Sequence, residues 1–132
     1  MVNLPEMVSY VVDQLKVGDL LHYQCGDMSF MRALTPSGDL RCQMYDASIP
    51  ELSDDPVASE MVVALDVDSE DTLDRLQSLT ERVLFCTVDS DYGISFWLPL
   101  FWERFDIQTY QYLGNGRFYV IAGAINDHPK LQ

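Results

Sequence analysis

Apolar residues recur along this chain with two different periods, and the change between them is sharpest after residue 68. Asp68 or Ser69 suits the N-cap of a helix, and Glu70 and Asp71 follow in a first turn where the helix dipole favours acids. Leu73, Leu76, Leu79 and Val83 then repeat at helical spacing, with Glu70, Asp74 and Glu81 on the opposite side. Beyond them the pattern turns to strand: residues 83–88, an Asp-Ser-Asp-Tyr-Gly turn at 89–93, and residues 94–98. This stretch predicts a helix running into a hairpin, with a leucine stripe that needs a sheet to cover.

Upstream, residues 5–16 read as a first helix. Pro5 suits the first turn, Met7, Val8, Val11, Val12 and Leu15 make an apolar face, and Gly18 is a stop. Residues 20–25, 28–34 and 40–45 read as three strands of a meander, turned at Gly26-Asp27 and at 36–39. Residues 47–59 form the longest loop, and 60–67 are apolar on both faces, the mark of a central strand. Residues 96–105 crowd seven large apolar side chains around Pro99, which cannot donate to a ladder, so a strand ends there or a helical turn follows through 101–105. The chain closes with a hairpin of 107–113 and 117–125 around Gly114-Asn115-Gly116, then a polar tail at 126–132. The expected fold is a single α+β domain over 1–132, a mainly antiparallel sheet with two helices packed on it.

The order helix, three strands, helix, two strands over 5–98 resembles the architecture of secretion chaperones that dimerise and hold an extended client. The resemblance is one of element order alone, and the closing hairpin departs from it.

Composition adds one unusual property. The 132 residues are 48% apolar and carry a net charge of −13. Ten of the acids fall between Cys42 and Asp74, a window without Lys or Arg. Such a field repels nucleic acid and anionic membrane and attracts basic partners. No apolar run approaches the length of a membrane span, and the first residues lack the basic and apolar segments of a secretory signal. Three widely spaced cysteines, Cys25, Cys42 and Cys86, suit reduced thiols in a cytoplasmic protein.

Little chemistry is written in the motifs. His22 and Cys25, three apart on an expected strand, point to opposite faces and make no local nucleophile pair. There is no zinc spacing, nucleophile elbow, phosphate-binding loop or dinucleotide fingerprint. Residues 66–70 start like a calcium loop, but Asp71 stands where glycine is needed and Gln77 where a bidentate Glu is needed, and helix capping accounts for them. No catalytic residue, metal or cofactor is assigned on this basis.

Two surfaces remain. One is acidic, centred on Asp54, Asp55, Glu70, Asp71 and Asp74; the other is aromatic, centred on Trp97, Phe101 and Trp102, residues that would serve equally as core. The reading is a small acidic cytoplasmic protein-binding module, of chaperone, adaptor or inhibitor type, without catalytic activity. Its partner would be another protein, basic if the acids make the contact, or a second copy if the aromatics form a dimer seam. The alternative is a nucleic-acid mimic that blocks a DNA- or RNA-binding cleft through the 42–74 window.

Overall fold

The computed structural model describes residues 3–26, 28–89 and 93–125. Along the chain run α1 (Leu4–Leu15), β1 (Asp19–Tyr23), α2 (Ser29–Arg32), β2 (Arg41–Tyr45), β3 (Ser59–Val67), α3 (Glu70–Leu79), β4 (Thr80–Asp89), α4 (Ile94–Trp102), β5 (Phe105–Gly114) and β6 (Arg117–Ala124), with one 3₁₀ turn at Pro50–Leu52. The strands make one sheet in the order β2-β1-β3-β4-β6-β5. β2, β1, β3 and β4 are mutually parallel, and β6 runs antiparallel between β4 and β5.

Several elements form where local chemistry dictates. Asn3 caps α1, its side-chain oxygen accepting from the Glu6 N–H at 2.9 Å, and Ser69 caps α3 through the Thr72 N–H at 3.2 Å. The closing hairpin turns on Asn115 and Gly116, both at positive φ.

The expectation of a mainly antiparallel sheet with two helices is corrected. Of the expected meander, residues 28–34 contain α2 instead of a strand, and the expected strand at 94–98 lies inside α4. The connection from β1 to β2 spans residues 24–40, long enough for the crossover that parallel pairing requires. Pro99 sits within α4, where it removes one helical hydrogen bond without ending the helix. The parallel core also departs from the chaperone element order. The expected turn at 89–93 and the tail at 126–132 fall largely outside the described residues.

From β1 the chain steps outward to β2, and from β3 it steps the opposite way to β4. Parallel crossovers are almost always right-handed, so steps in opposite directions put their helices on opposite faces. Here α1 and α2 cover one face through Val8, Val12 and Phe30, while α3 and α4 cover the other through Leu73, Leu76, Trp97 and Phe101. Strand alternation feeds both layers. Leu20, Met61, Val63 and Phe85 point to the α1 side, and Leu21, Val62, Ala64 and Leu84 to the α3 side.

The free edge of β2 is blunted. The Gln43 amide accepts from the Val57 N–H at 2.9 Å and donates to the Val57 carbonyl at 3.0 Å, so loop backbone lies along the edge in place of another strand. No helix among the described residues is long and apolar enough to cross a membrane.

Candidate functional site

Because the chain leaves β1 and β3 in opposite directions, the carboxyl ends of these adjacent strands diverge and leave a crevice, the usual ligand position in an open parallel sheet. A cavity of about 340 Å³ lies there, lined by Tyr23 and Gln24 after β1, Tyr45 and Ala47 after β2, residues 64–68 at the end of β3, and Thr72 in the first turn of α3. Tyr23 and Tyr45 stack with ring centroids 5.0 Å apart, giving the cavity a flat aromatic wall. A second hollow along α3 shares Tyr23 and Thr72 with it and adds Asp71, Asp74 and Arg75.

The loop after β1 is fastened to the end of β2. The Cys25 N–H donates to the Tyr45 carbonyl at 3.0 Å, the Gly26 N–H to Asp46 Oδ2 at 2.7 Å, and the Ala47 N–H to Gln24 Oε1 at 3.0 Å. Asp46 Oδ1 accepts from the Ser48 hydroxyl and N–H at 2.6 and 2.9 Å. The Ser48 bonds, followed by Gly26, hold the Asp46 carboxyl below the usual carboxylate range. Three of about four lone-pair sites on this carboxylate are thereby used, and Asp46 sits between two residues that line the cavity.

On the β3 side, Asp66 has its backbone in the left-handed region at φ 59°. Its N–H donates to Thr87 Oγ1 at 2.7 Å, and its Oδ1 receives Arg117 Nε and Nη2 at 3.1 and 2.9 Å. His22, one residue before Tyr23, points to the opposite face of the sheet, buried beside Phe30 with ring centroids 5.1 Å apart. Burial pushes its pKa down to about 4, opposed in part by Asp46, and Nδ1 has no hydrogen-bond partner among the described residues.

The residues singled out from the sequence divide. Trp97 and Phe101 are buried in the α3–α4 layer and are core; Trp102 is exposed. Glu70 and Asp74 are both held by the largely buried Arg104 guanidinium, at 2.7 and 2.8 Å. Asp55 pairs with Arg75 at 3.6 Å, Asp71 borders the second hollow, and Asp54 is exposed. Thus two of the five acids are spent tying α3 to the end of α4.

Sequence reasoning missed Tyr23, Tyr45, Asp46, Asp66, Thr87 and Arg117. One signal was present. Asp46 follows Gly26 by twenty residues, Gly26 lying in the loop after β1 and Asp46 directly after β2, the spacing that in dinucleotide folds puts an acid near a ribose. Reading 28–34 as a strand hid it, because that spacing has meaning only across a strand-helix-strand unit.

No family model matches the chain, and no curated protein matches it. Solved structures do. The 16S rRNA methylase ArmA superposes with a TM-score of 0.62 at 14% identity, over 90% of this chain and 81% of the other. The magnesium protoporphyrin IX methyltransferase of Synechocystis, solved with bound SAM, gives 0.60 at 12% identity, over 89% of this chain and 76% of the other. The precorrin-6y C5,15-methyltransferase of Geobacter metallireducens gives 0.56 at 12% identity, over 89% and 85%. The fold resembles that of Rossmann-like methyltransferases. This likeness overturns the expected non-catalytic binding module, and with it the chaperone, inhibitor and nucleic-acid-mimic readings: every one of these neighbours is named for a methyl transfer.

Proposed function

We propose that this chain is a methyltransferase that holds S-adenosylmethionine in the cavity at the carboxyl ends of β1, β2 and β3. The observation that carries the reading is the cavity itself, which falls at the switch point of a sheet shared with methyltransferases, one of them solved with SAM bound. Its size lies within the range of small-molecule sites.

The lining chemistry fits the cofactor, which has an aromatic base, a ribose diol and a cationic end. The Tyr23–Tyr45 wall would take the base and Asp68 the cationic end, while Asp46, beside the lining residues Tyr45 and Ala47 and not itself part of the lining, would hold the loop that shapes this wall. When bound, the cofactor supplies an electrophilic methyl group on a positive sulfur. The protein's part is to orient that group and to keep water from it. The acceptor is a small neutral or cationic molecule in this reading. A chain of net charge −13 opposes the approach of a nucleic acid, which separates it from the rRNA methylase it resembles.

Isothermal titration with S-adenosylhomocysteine tests the reading. Saturable one-to-one binding is expected, weakened about tenfold by Tyr45→Ala through the loss of base stacking. Wild-type protein that binds neither S-adenosylmethionine nor S-adenosylhomocysteine overturns it.

A further inference from the structure

We propose that Asp66 is the residue that receives the methyl acceptor, accepting a hydrogen bond from an amine or hydroxyl of a small molecule, and that Thr87 and Arg117 hold it in place. The proposal rests on the cofactor-site reading above and assigns the other half of that site.

The argument begins with a fault in the sheet. Ala64 pairs with Cys86 and Val67 with Val88, so Leu65 and Asp66 on β3 together oppose the single residue Thr87 on β4. This is a β-bulge, a device that re-aims a side chain and is frequent beside active sites. The bulge lifts the Asp66 N–H out of the ladder, and the buried Thr87 hydroxyl catches it at 2.7 Å in place of a backbone carbonyl. Arg117, at the start of β6, reaches across β4 and fixes Oδ1 with two N–H groups. Donors from two strands, Thr87 on β4 and Arg117 on β6, thus converge on one carboxylate oxygen of β3, while Oδ2 has no partner among the described residues.

Backbone geometry marks the same residue. Four non-glycine residues among those described have positive φ: Lys16, Gln24, Asp66 and Asn115. Lys16 is the C-cap of α1 and Asn115 lies in the closing turn, both ordinary uses of that conformation. Gln24 and Asp66 are neither, and both line the switch-point cavity. Aspartate tolerates the left-handed region better than most residues, yet glycine alone adopts it freely. Strained backbone persists where the surroundings impose it, and it collects at ligand sites. A merely structural surface ion pair contributes little and needs no bulge. Oδ2 is therefore the free end of a held anion, suited to an N–H or O–H donor and unsuited to another anion.

Asp66→Gly separates the roles, because it removes the carboxylate and relieves the positive φ together; Asp66→Asn is made alongside as a variant that keeps size and conformational tolerance. Melting, S-adenosylhomocysteine titration, and transfer of label from methyl-labelled S-adenosylmethionine into a low-molecular-weight extract of the native host are measured on each. Asp66→Gly is expected to melt at or above the wild-type temperature and to bind S-adenosylhomocysteine within about threefold of wild type, with transfer reduced at least about tenfold. Asp66→Asn and Arg117→Met are expected to show the same split between binding and transfer. Melting several degrees lower for Asp66→Gly would make Asp66 a structural tie, and an equal loss of binding and transfer would place it in the cofactor site; either overturns the proposal. Unchanged transfer with normal binding overturns this proposal alone, whereas wild-type protein that binds no S-adenosylhomocysteine overturns the cofactor reading and this one with it.

Discussion

The Gly26 N–H and the Asp46 carboxylate, twenty residues apart in sequence, meet at 2.7 Å and lock the loop after β1 to the end of β2. Gly26 takes a left-handed φ of 63°, which lets its N–H turn toward the neighbouring strand. One wall of the cavity depends on that bond, since Gln24, Tyr45 and Ala47 all lie within two residues of its ends.

Asp46→Ala should therefore loosen the loop, because the exposed Gly26 and Ser48 donors lose the carboxylate that ties them together and turn to water instead. A loss of about 2 kcal/mol in denaturant melts at neutral pH is expected, as for other charged hydrogen-bond acceptors. The folded carboxyl titrates below its unfolded value near 4, so its contribution is complete above that pH and fades as the pH falls through the lower folded value. Wild type and variant should converge at the acid end. A difference that persists unchanged at pH 2 would show that the carboxylate is not its source.

His22 predicts a pH dependence of its own. Folded His22 stays neutral down to about pH 4, whereas the unfolded side chain protonates near 6.5. Between those values the unfolded state binds the extra proton, so stability rises with pH across this window and is lost as pH falls from 6.5 toward 4. The slope should approach ~1.4 kcal/mol per pH unit for this one group. In His22→Phe the slope from this site should vanish, which chemical melts at pH 4, 5, 6 and 7 would reveal.

The aromatic residues of α4 should behave as core and surface, in keeping with their burial. Phe101→Ala should cost roughly 3–5 kcal/mol, and Trp102→Ala, at an exposed position, less than about 0.5 kcal/mol. Trp97→Phe should cost under about 1.5 kcal/mol, because the indole Nε1 is buried without a hydrogen-bond partner among the described residues and its removal recovers part of the lost packing. A large stability loss for Trp102→Ala would count against the face assigned to α4.

Leu76 is fully buried between α3 and the sheet, so Leu76→Ala should cost roughly 2–5 kcal/mol. A loss well under 1 kcal/mol in denaturant melts would mean that the helix packs through another stripe.

What the sequence determined by itself was local. The leucine stripe and Ser69 cap of α3, the apolar face of α1, the two-sided apolar run of β3 and the turn at Gly114-Asn115-Gly116 each carry their cause within a few residues and each formed, although Val83, read into the stripe, belongs to β4 and Leu15, read into the α1 face, is exposed. Helix α2 has four residues, too few to display a helical period, and α4 is apolar on nearly every side, so neither shows the amphipathic phase that separates helix from strand. Those two misreadings converted a parallel core into an expected antiparallel one. Pairing direction was decided by tertiary structure, because it depends on which face a crossover packs against and not on the strands' own residues. The site followed the same rule. Tyr23, Tyr45 and Asp66 come from three strands that only the sheet order brings side by side, and the bulge that re-aims Asp66 exists only in the register between β3 and β4. No spacing along the chain encodes that register, which is why Tyr23, Tyr45 and Asp66 could not be grouped from the sequence.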